Sequence, residues 1–235
     1  MKTVKPKYAE APYDPRSLLQ IFNDCVRWGQ WEISRWGRSP KKFEFDGKSY
    51  LSFSHNYNRT WGNERAVEVP IVWKAVQSFQ GKRILEFGNV LSHYFKVNHP
   101  IIDKYENGKK IIPVDIVDFR SEEKFDLVIS ISTLEHVGWD ETPQENGKAV
   151  YALDVLKSSV NKGGQLIFTV PVGHNPHLDQ YLRKEYHGFK LSFLKRQSPE
   201  NDWVQIFDES IWACHYGSPF PAANGLVIGF YQKGS

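Results

Sequence analysis

Between Arg83 and Pro171 the chain alternates short apolar runs with helical segments. That pattern constrains the fold more than any other feature, because parallel strands can only be joined by crossovers of a dozen or more residues. Arg83 to Phe87, a run ending at Ile101-Ile102-Asp103, Ile111 to Val114, Phe125 to Ser130 and Gln165 to Val170 read as five strands. The fourth is an unbroken apolar run, as expected of a central strand covered on both faces. A short helix is expected from Leu91 to Phe95, and Ala149, Leu153, Leu156 and Val160 recur at helical steps ahead of the fifth strand. A helix around Pro70 to Phe79 would place its proline in the first turn. Phe189 to Leu194 and Leu226 to Tyr231 supply two closing strands. The expected fold class is α/β, a doubly wound, mostly parallel sheet of seven strands over residues 66–235. Residues 1–65 are expected to form an N-terminal extension or lid, with an amphipathic helix over 17–26 and a hairpin at Asp46-Gly47.

Composition removes several function classes. A net charge of +3 over 235 residues is too even for a surface built to neutralise phosphates, so no nucleic acid partner is expected. Cys25 and Cys214 form no CxxC pair and cannot build a framework of several disulfides. The opening MKTVKPKYAEAPYDP lacks the apolar core of a secretory signal, and no apolar run approaches the ~20 residues that cross a bilayer. A cytoplasmic protein with no membrane partner is expected. Aromatic residues make up 14% of the chain, including eight tryptophans, which must line either an aromatic core or a binding cleft.

In an open parallel sheet, ligands bind beyond the carboxyl ends of the strands, where the strand order reverses. Those positions are polar here: Glu86-Phe87-Gly88-Asn89, Asp103, Asp115, Ser130-Ile131-Ser132, and Pro171-Val172-Gly173-His174. With ILEFGNVLSHY, VDIVDF, KFDLVISISTLEHVGWDE and NKGGQLIFTVPVG in this order, the chain resembles the class I S-adenosylmethionine-dependent methyltransferases, whose fold is Rossmann-like. A subgroup of methyltransferase-like proteins that share NRTWGNERAVEVP and YGSPFPAANGLVIGFYQK is similar over most of residues 50 to 235. Such proteins look similar to those associated with glycan and small-molecule methylation.

The resemblance implies S-adenosylmethionine as cofactor, held by Glu86, Gly88, Asn89, Asp103, Asp115, Ile116, Ser130 and Ser132. Asp103 would accept the two ribose hydroxyls, with Glu106 as the competing candidate, and Asp115 would lie near the adenine amino group with Ile116 on the purine face. One departure stands out: Val90 and Ser92 occupy positions where the family usually carries glycine, which leaves two rival readings open. One is a non-catalytic binding module. The other is an NAD-type oxidoreductase, whose first turn would need a fuller GxGxxG pattern.

A small-molecule or glycan hydroxyl is the expected acceptor. No Asn/Asp-Pro-Pro-Tyr run follows strand four to hold a base amine, and no Pro-Cys dipeptide is present to attack a pyrimidine. His174 and His136 are the candidate bases, each with a structural role as its alternative. His55, Tyr57, Trp61 and Asn175 are the candidate acceptor-binding residues, against the alternative that the aromatics only close the core. No metal site is expected.

Overall fold

The computed structural model describes residues 40–185 and 188–234; the helix expected over 17–26, and Cys25 within it, lie outside the described residues. In chain order come β1 (Lys42–Phe45), β2 (Lys48–Leu51), α1 (Arg65–Ser78), β3 (Ile84–Phe87), β4 (Ile101–Ile102), β5 (Ile111–Ile112) and β6 (Phe125–Ile131). Then follow α2 (Lys148–Ser159), β7 (Val160–Pro171), α3 (Pro176–Glu185), β8 (Lys190–Arg196), β9 (Trp203–Ile206) and β10 (Gly225–Gln232).

The main sheet has the order β5-β4-β3-β6-β7-β10-β8-β9. Neighbours from β5 through β7 run parallel, whereas β10 is antiparallel to both β7 and β8. The chain therefore winds outward from β3 to β5, returns to β6 and winds the other way, putting the switch point between β3 and β6. The expected doubly wound, mostly parallel sheet is present, with eight strands instead of seven. The additional edge strand β9 pairs antiparallel with β8, and its four residues, with only Trp203 buried, carry too little periodicity to be read from sequence.

Alternate strand residues feed two cores, one on each face. Leu85, Phe87, Val128, Leu166, Phe168 and Val170 pack with α2 and α3 through Leu153, Leu156, Leu178 and Leu182. Leu127, Ile129, Ile131 and Ile167 pack on the other face with Val67, Ile71 and Val72 of α1. Period-2 alternation with both faces covered explains why these strands read as continuous apolar runs.

Two expectations need correction. Helix α1 begins at Arg65, so Pro70 stands inside it instead of in its first turn. An interior proline has no N–H for the carbonyl four residues back; here that carbonyl, of Ala66, accepts the N–H of Phe53 at 2.8 Å. Just ahead of the helix, Asn63 Oδ1 accepts the Arg65 N–H at 3.0 Å. The short helix expected from Leu91 to Phe95 is a single 3-10 turn, Leu91–His93; after strand four comes another, Leu134–His136, and the crossover helix begins only at α2.

Residues 40–51, expected as part of an extension, are built into the core. The β1–β2 hairpin turns at Asp46-Gly47, both at positive φ, as a two-residue loop matched to strand twist requires. Phe43 and Phe45 are buried, and Phe45 stacks on Phe230 of β10 at 6.2 Å. Ser192 Oγ and Gln205 Nε2 donate to Asp46 Oδ1, and Lys190 Nζ donates to Oδ2, fastening the turn to β8 and β9. Phe45→Ala should therefore lower stability by about 3–5 kcal/mol, the range for a buried phenylalanine. Urea unfolding of the full chain checks this, and a loss below about 1 kcal/mol would mean the hairpin is only an appendage.

Candidate functional site

Glycine 88 follows β3 at φ +80, and a Cβ there would lie 2.1 Å from Thr133 Oγ1. The turn thus needs glycine both for its backbone and for the close passage of the loop after β6. A Gly88→Val change would strike Thr133, so its first effect falls on the turn's packing and not on a ligand alone. Beyond this glycine the turn is closed by Glu86, fully buried, whose Oε1 accepts the N–H groups of Val90 and Leu91 at 3.0 and 2.8 Å. Its Oε2 lies 2.8 Å from His99 Nε2. Glu86 is therefore a brace inside the turn, and the expectation that it touches the cofactor is corrected.

Val90 has φ −111, a conformation open to any residue, and its side chain is buried in the core. The glycine expected at that position is thus unnecessary for this backbone. Ser92 hydroxyl is bonded to Asn89 Oδ1.

Asp103, just past β4, accepts the N–H groups of Tyr105 and Glu106 on Oδ1 and that of Asn89 on Oδ2, each at 2.9 Å. A carboxylate offers about four acceptor positions, so one stays open on Oδ2. The expectation that Asp103 takes two hydroxyls is narrowed to one. Asn89 joins the two acidic candidates, since its Nδ2 also donates to Glu106 Oε2 at 2.5 Å.

These groups border a cavity of about 320 Å³ at the carboxyl ends of β3 to β6, with Phe87, Gly88, Asp103, Tyr105, Ile116 and His136 among its walls. A second hollow of about 410 Å³, lined by Tyr57, Arg65, Asn89, His93 and Glu106, borders the same turn. Both volumes suit small-molecule sites.

Asp115 and Glu141 each accept from Lys104 and Lys148, at 2.6 to 3.0 Å. Burial opposes the charge on Asp115, but hydrogen bonds from Lys148 and Lys104 outweigh it and hold the carboxyl below its usual range. Burial likewise works against the Lys104 ammonium, and Asp115 and Glu141 reverse it, raising its pKa. Asp115 lines the cavity, with Oδ2 taken by both lysines and Oδ1 accepting the Val117 N–H. Lysines 104 and 148 were missed in the sequence, although Lys104 directly follows the expected ribose ligand.

Ser130 and Ser132 do not line the cavity. Ser130 is fully buried in β6, and Ser132 Oγ is bonded to the buried Glu68 while its N–H donates to Thr169 Oγ1 at 3.1 Å. Their assignment as cofactor ligands is corrected: both belong to the layer beneath, where Arg65 pairs with Glu68 at 2.8 Å and donates to the carbonyls of Ile131 and Ser132. Asn175 is corrected in the same way. Its side chain accepts the N–H groups of His177 and Leu178 at the start of α3 and donates to Glu135 O, leaving it 1% exposed.

His55 packs between Phe53 and Tyr94, and the Trp61 carbonyl accepts from Asn201 Nδ2. Tyr57 stacks on His93 at 4.2 Å in the second hollow. None of the three lines the cavity around Asp103.

His136 and His174 are brought together, with rings 4.6 Å apart, and Asp140 lies between them. Asp140 Oδ2 is 2.5 Å from His136 Nδ1 and 3.4 Å from His174 Nε2. Burial, then the nearby charge of His136, lower the His174 pKa. Burial raises the Asp140 carboxyl, but hydrogen bonding and charge from the two histidines prevail and lower it. His174 also meets the ring of Tyr216, 4.9 Å away in the C-terminal loop. Behind His136 the Glu135 carboxyl is buried, and burial is the chief reason its pKa stands well above normal.

No protein-family model and no curated protein matches the chain. Among solved structures, the N-methyltransferase NodS from Bradyrhizobium japonicum in complex with S-adenosyl-L-homocysteine shares 14% identity at TM-score 0.45, covering 72% of this chain and 87% of its own. A SAM-dependent methyltransferase from Archaeoglobus fulgidus shares 12% at TM-score 0.44, covering 69% and 91%. The sugar N-methyltransferase KedS8 from a Streptoalloteichus species shares 13% at TM-score 0.40, covering 84% and 100%.

The His174 loop is anchored by Asp179 of α3, whose Oδ2 accepts the Gly173 N–H at 2.7 Å while its buried Oδ1 finds no hydrogen bond among the described residues. Burial pushes this carboxyl up to about 6. A carboxyl raised on folding stabilises the fold while protonated, below its unfolded value near 4, and that contribution is lost as pH rises through about 6. Asp179→Asn removes the titration but keeps an acceptor for Gly173. Between pH 4 and 7 the stability difference should shift in the variant's favour by up to about 3 kcal/mol. Urea midpoints across that range test this, and a difference independent of pH would refute it.

Proposed function

We propose that the chain is an S-adenosylmethionine-dependent methyltransferase acting on a hydroxyl of a small polar, sugar-like acceptor. The observation that carries this reading is the cavity on the Gly88 turn, in its position and its charge. Four carboxyl groups, Asp103, Asp115, Asp140 and Glu141, meet only two ammonium groups, Lys104 and Lys148. The excess negative charge favours a donor that carries a sulfonium and disfavours a dinucleotide with its pyrophosphate, which speaks against the oxidoreductase reading. The residues fit such a donor. Asp103 Oδ2 accepts a ribose hydroxyl, Ile116 and Val137 give apolar walls for the purine, and Arg65, Asn89 and Glu106 in the second hollow suit the charged amino-acid end.

When bound, the donor supplies an electrophilic methyl group, so little covalent help is needed. The chain's task is to hold the acceptor oxygen in line with that group, an alignment that can contribute roughly 7–11 kcal/mol. His136 and Asp140 form the wall from which an acceptor oxygen would be held, and the exposed Tyr105 ring at the mouth offers a flat face to a sugar ring. Calorimetric titration with S-adenosylmethionine, S-adenosylhomocysteine and NAD tests the donor. Labelled methyl transfer to nucleotide sugars, oligosaccharides, peptides and RNA tests the acceptor, and label confined to peptide or RNA rejects the sugar assignment. Asp103→Ala should weaken S-adenosylhomocysteine binding by about 1–3 kcal/mol, the usual range for a hydrogen bond to a charged group. It should also lower thermal stability, because three backbone N–H groups lose their acceptor. Unchanged affinity would transfer the ribose role to Glu106.

A further inference from the structure

The structure assigns a metal site: we propose that His136 Nδ1, Asp140 and His174 Nε2 bind one divalent first-row cation at the wall of the donor cavity. The three ligand atoms lie within 4.8 Å of one another. Metal bonds of about 2.0–2.2 Å to imidazole nitrogen and carboxylate oxygen place ligand atoms roughly 3–3.5 Å apart. Closing the group onto a cation therefore needs only small side-chain shifts. Two nitrogens and one carboxylate oxygen are a donor set that suits Zn²⁺, Fe²⁺, Mn²⁺ or Co²⁺ and leaves coordination positions open. His136 and Asp140 line the cavity, so a cation they hold would stand at its wall.

The site is held by its surroundings. His136 and Asp140 share one turn, closed by the Asp140 N–H on the His136 carbonyl at 3.1 Å. His174 is aimed by Gly173, at φ +83, where a Cβ would lie 2.8 Å from the Tyr216 nitrogen. A cation on Nδ1 fixes the His136 proton on Nε2, which stands 3.6 Å from Oε1 of Glu135. Glu135 is 1% exposed, and a small rotation of the His136 ring would bring its Oε1 from 3.6 Å to hydrogen-bond distance, giving the outer partner that metal-bound histidines commonly have.

The role of the cation rests on the methyltransferase reading above. An acceptor hydroxyl bound to it becomes more acidic and releases its proton to water at the exposed Asp140 edge. The oxygen then forms its bond to the methyl carbon as the carbon–sulfur bond of the donor breaks, and the electron pair stays on sulfur as a neutral thioether.

The test uses the full chain stripped with a chelator and titrated with Zn²⁺ by calorimetry and with Co²⁺ by visible absorption. One cation per chain is expected. His174→Ala and Asp140→Ala, checked for folding by circular dichroism, should weaken uptake by more than about 100-fold, the upper end for a supporting residue. Glu135→Gln should weaken it by about 10–100-fold. Absence of stoichiometric uptake, or uptake unchanged in His174→Ala and Asp140→Ala, overturns the site. Methyl transfer that proceeds equally in excess chelator overturns the cation's role. Failure of S-adenosylhomocysteine to bind while Zn²⁺ still does would instead strike the methyltransferase reading and leave the metal site standing.

Discussion

A carboxylate shut away from water is tolerated only if hydrogen bonds or opposite charge replace its hydration. Glu86 meets that demand through Val90 N–H and Leu91 N–H in its own turn and through His99 beyond it. The consequence reaches beyond local stability. With the chain after β3 drawn back onto Glu86, Val90 and Leu91 enter the core and Gly88 is pressed against Thr133. The Asn89 N–H is left pointing to Asp103, so the end of β4 is fixed to the end of β3. The cavity is thus built outward from one buried acid that never reaches it.

The central strands were legible because they are buried on both faces and so show as apolar runs; the eight-residue β10 and seven-residue β6 leave little room for another reading. Their ends were legible too, since Asp103, Asp115 and Ile116 stand at the cavity where strand-end reasoning places them. What sequence could not supply was the direction of each polar side chain. Glu86, Ser130, Ser132 and Asn175 sit at the right strand ends, but neighbours distant in sequence claim them: His99, Glu68, Thr169 and the Glu135 carbonyl. The start of α1 was misplaced for a similar reason. Proline at an interior position is tolerated because Phe53, outside the helix, satisfies the carbonyl it strands.

The buried polar layer under the site has its own logic. Arg65 on α1 pairs with Glu68 one turn along the same helix and reaches across to the carbonyls of Ile131 and Ser132, so the helix ahead of the sheet and the loop after β6 are tied together. A charge pair this deep contributes little net stability, since desolvation offsets attraction, but losing either partner leaves the other uncompensated. Its effect is on position: it fixes the loop carrying Thr133, Glu135 and His136 relative to the Gly88 turn.

Electrostatics then links the two proposals. Around the cavity carboxyl groups outnumber ammonium groups four to two, and a sulfonium donor offsets part of that excess. A divalent cation at His136, Asp140 and His174 would offset the rest through Asp140, away from the Lys104–Lys148 group. Two cationic centres facing one small cavity repel each other unless something negative lies between them. During methyl transfer to a hydroxyl that something is the acceptor oxygen, which carries its greatest negative charge once its proton has left and still carries part of it while the bond to the methyl carbon forms. The arrangement therefore favours the transition state over the complex with a neutral hydroxyl, which is the condition for an electrostatic contribution to rate.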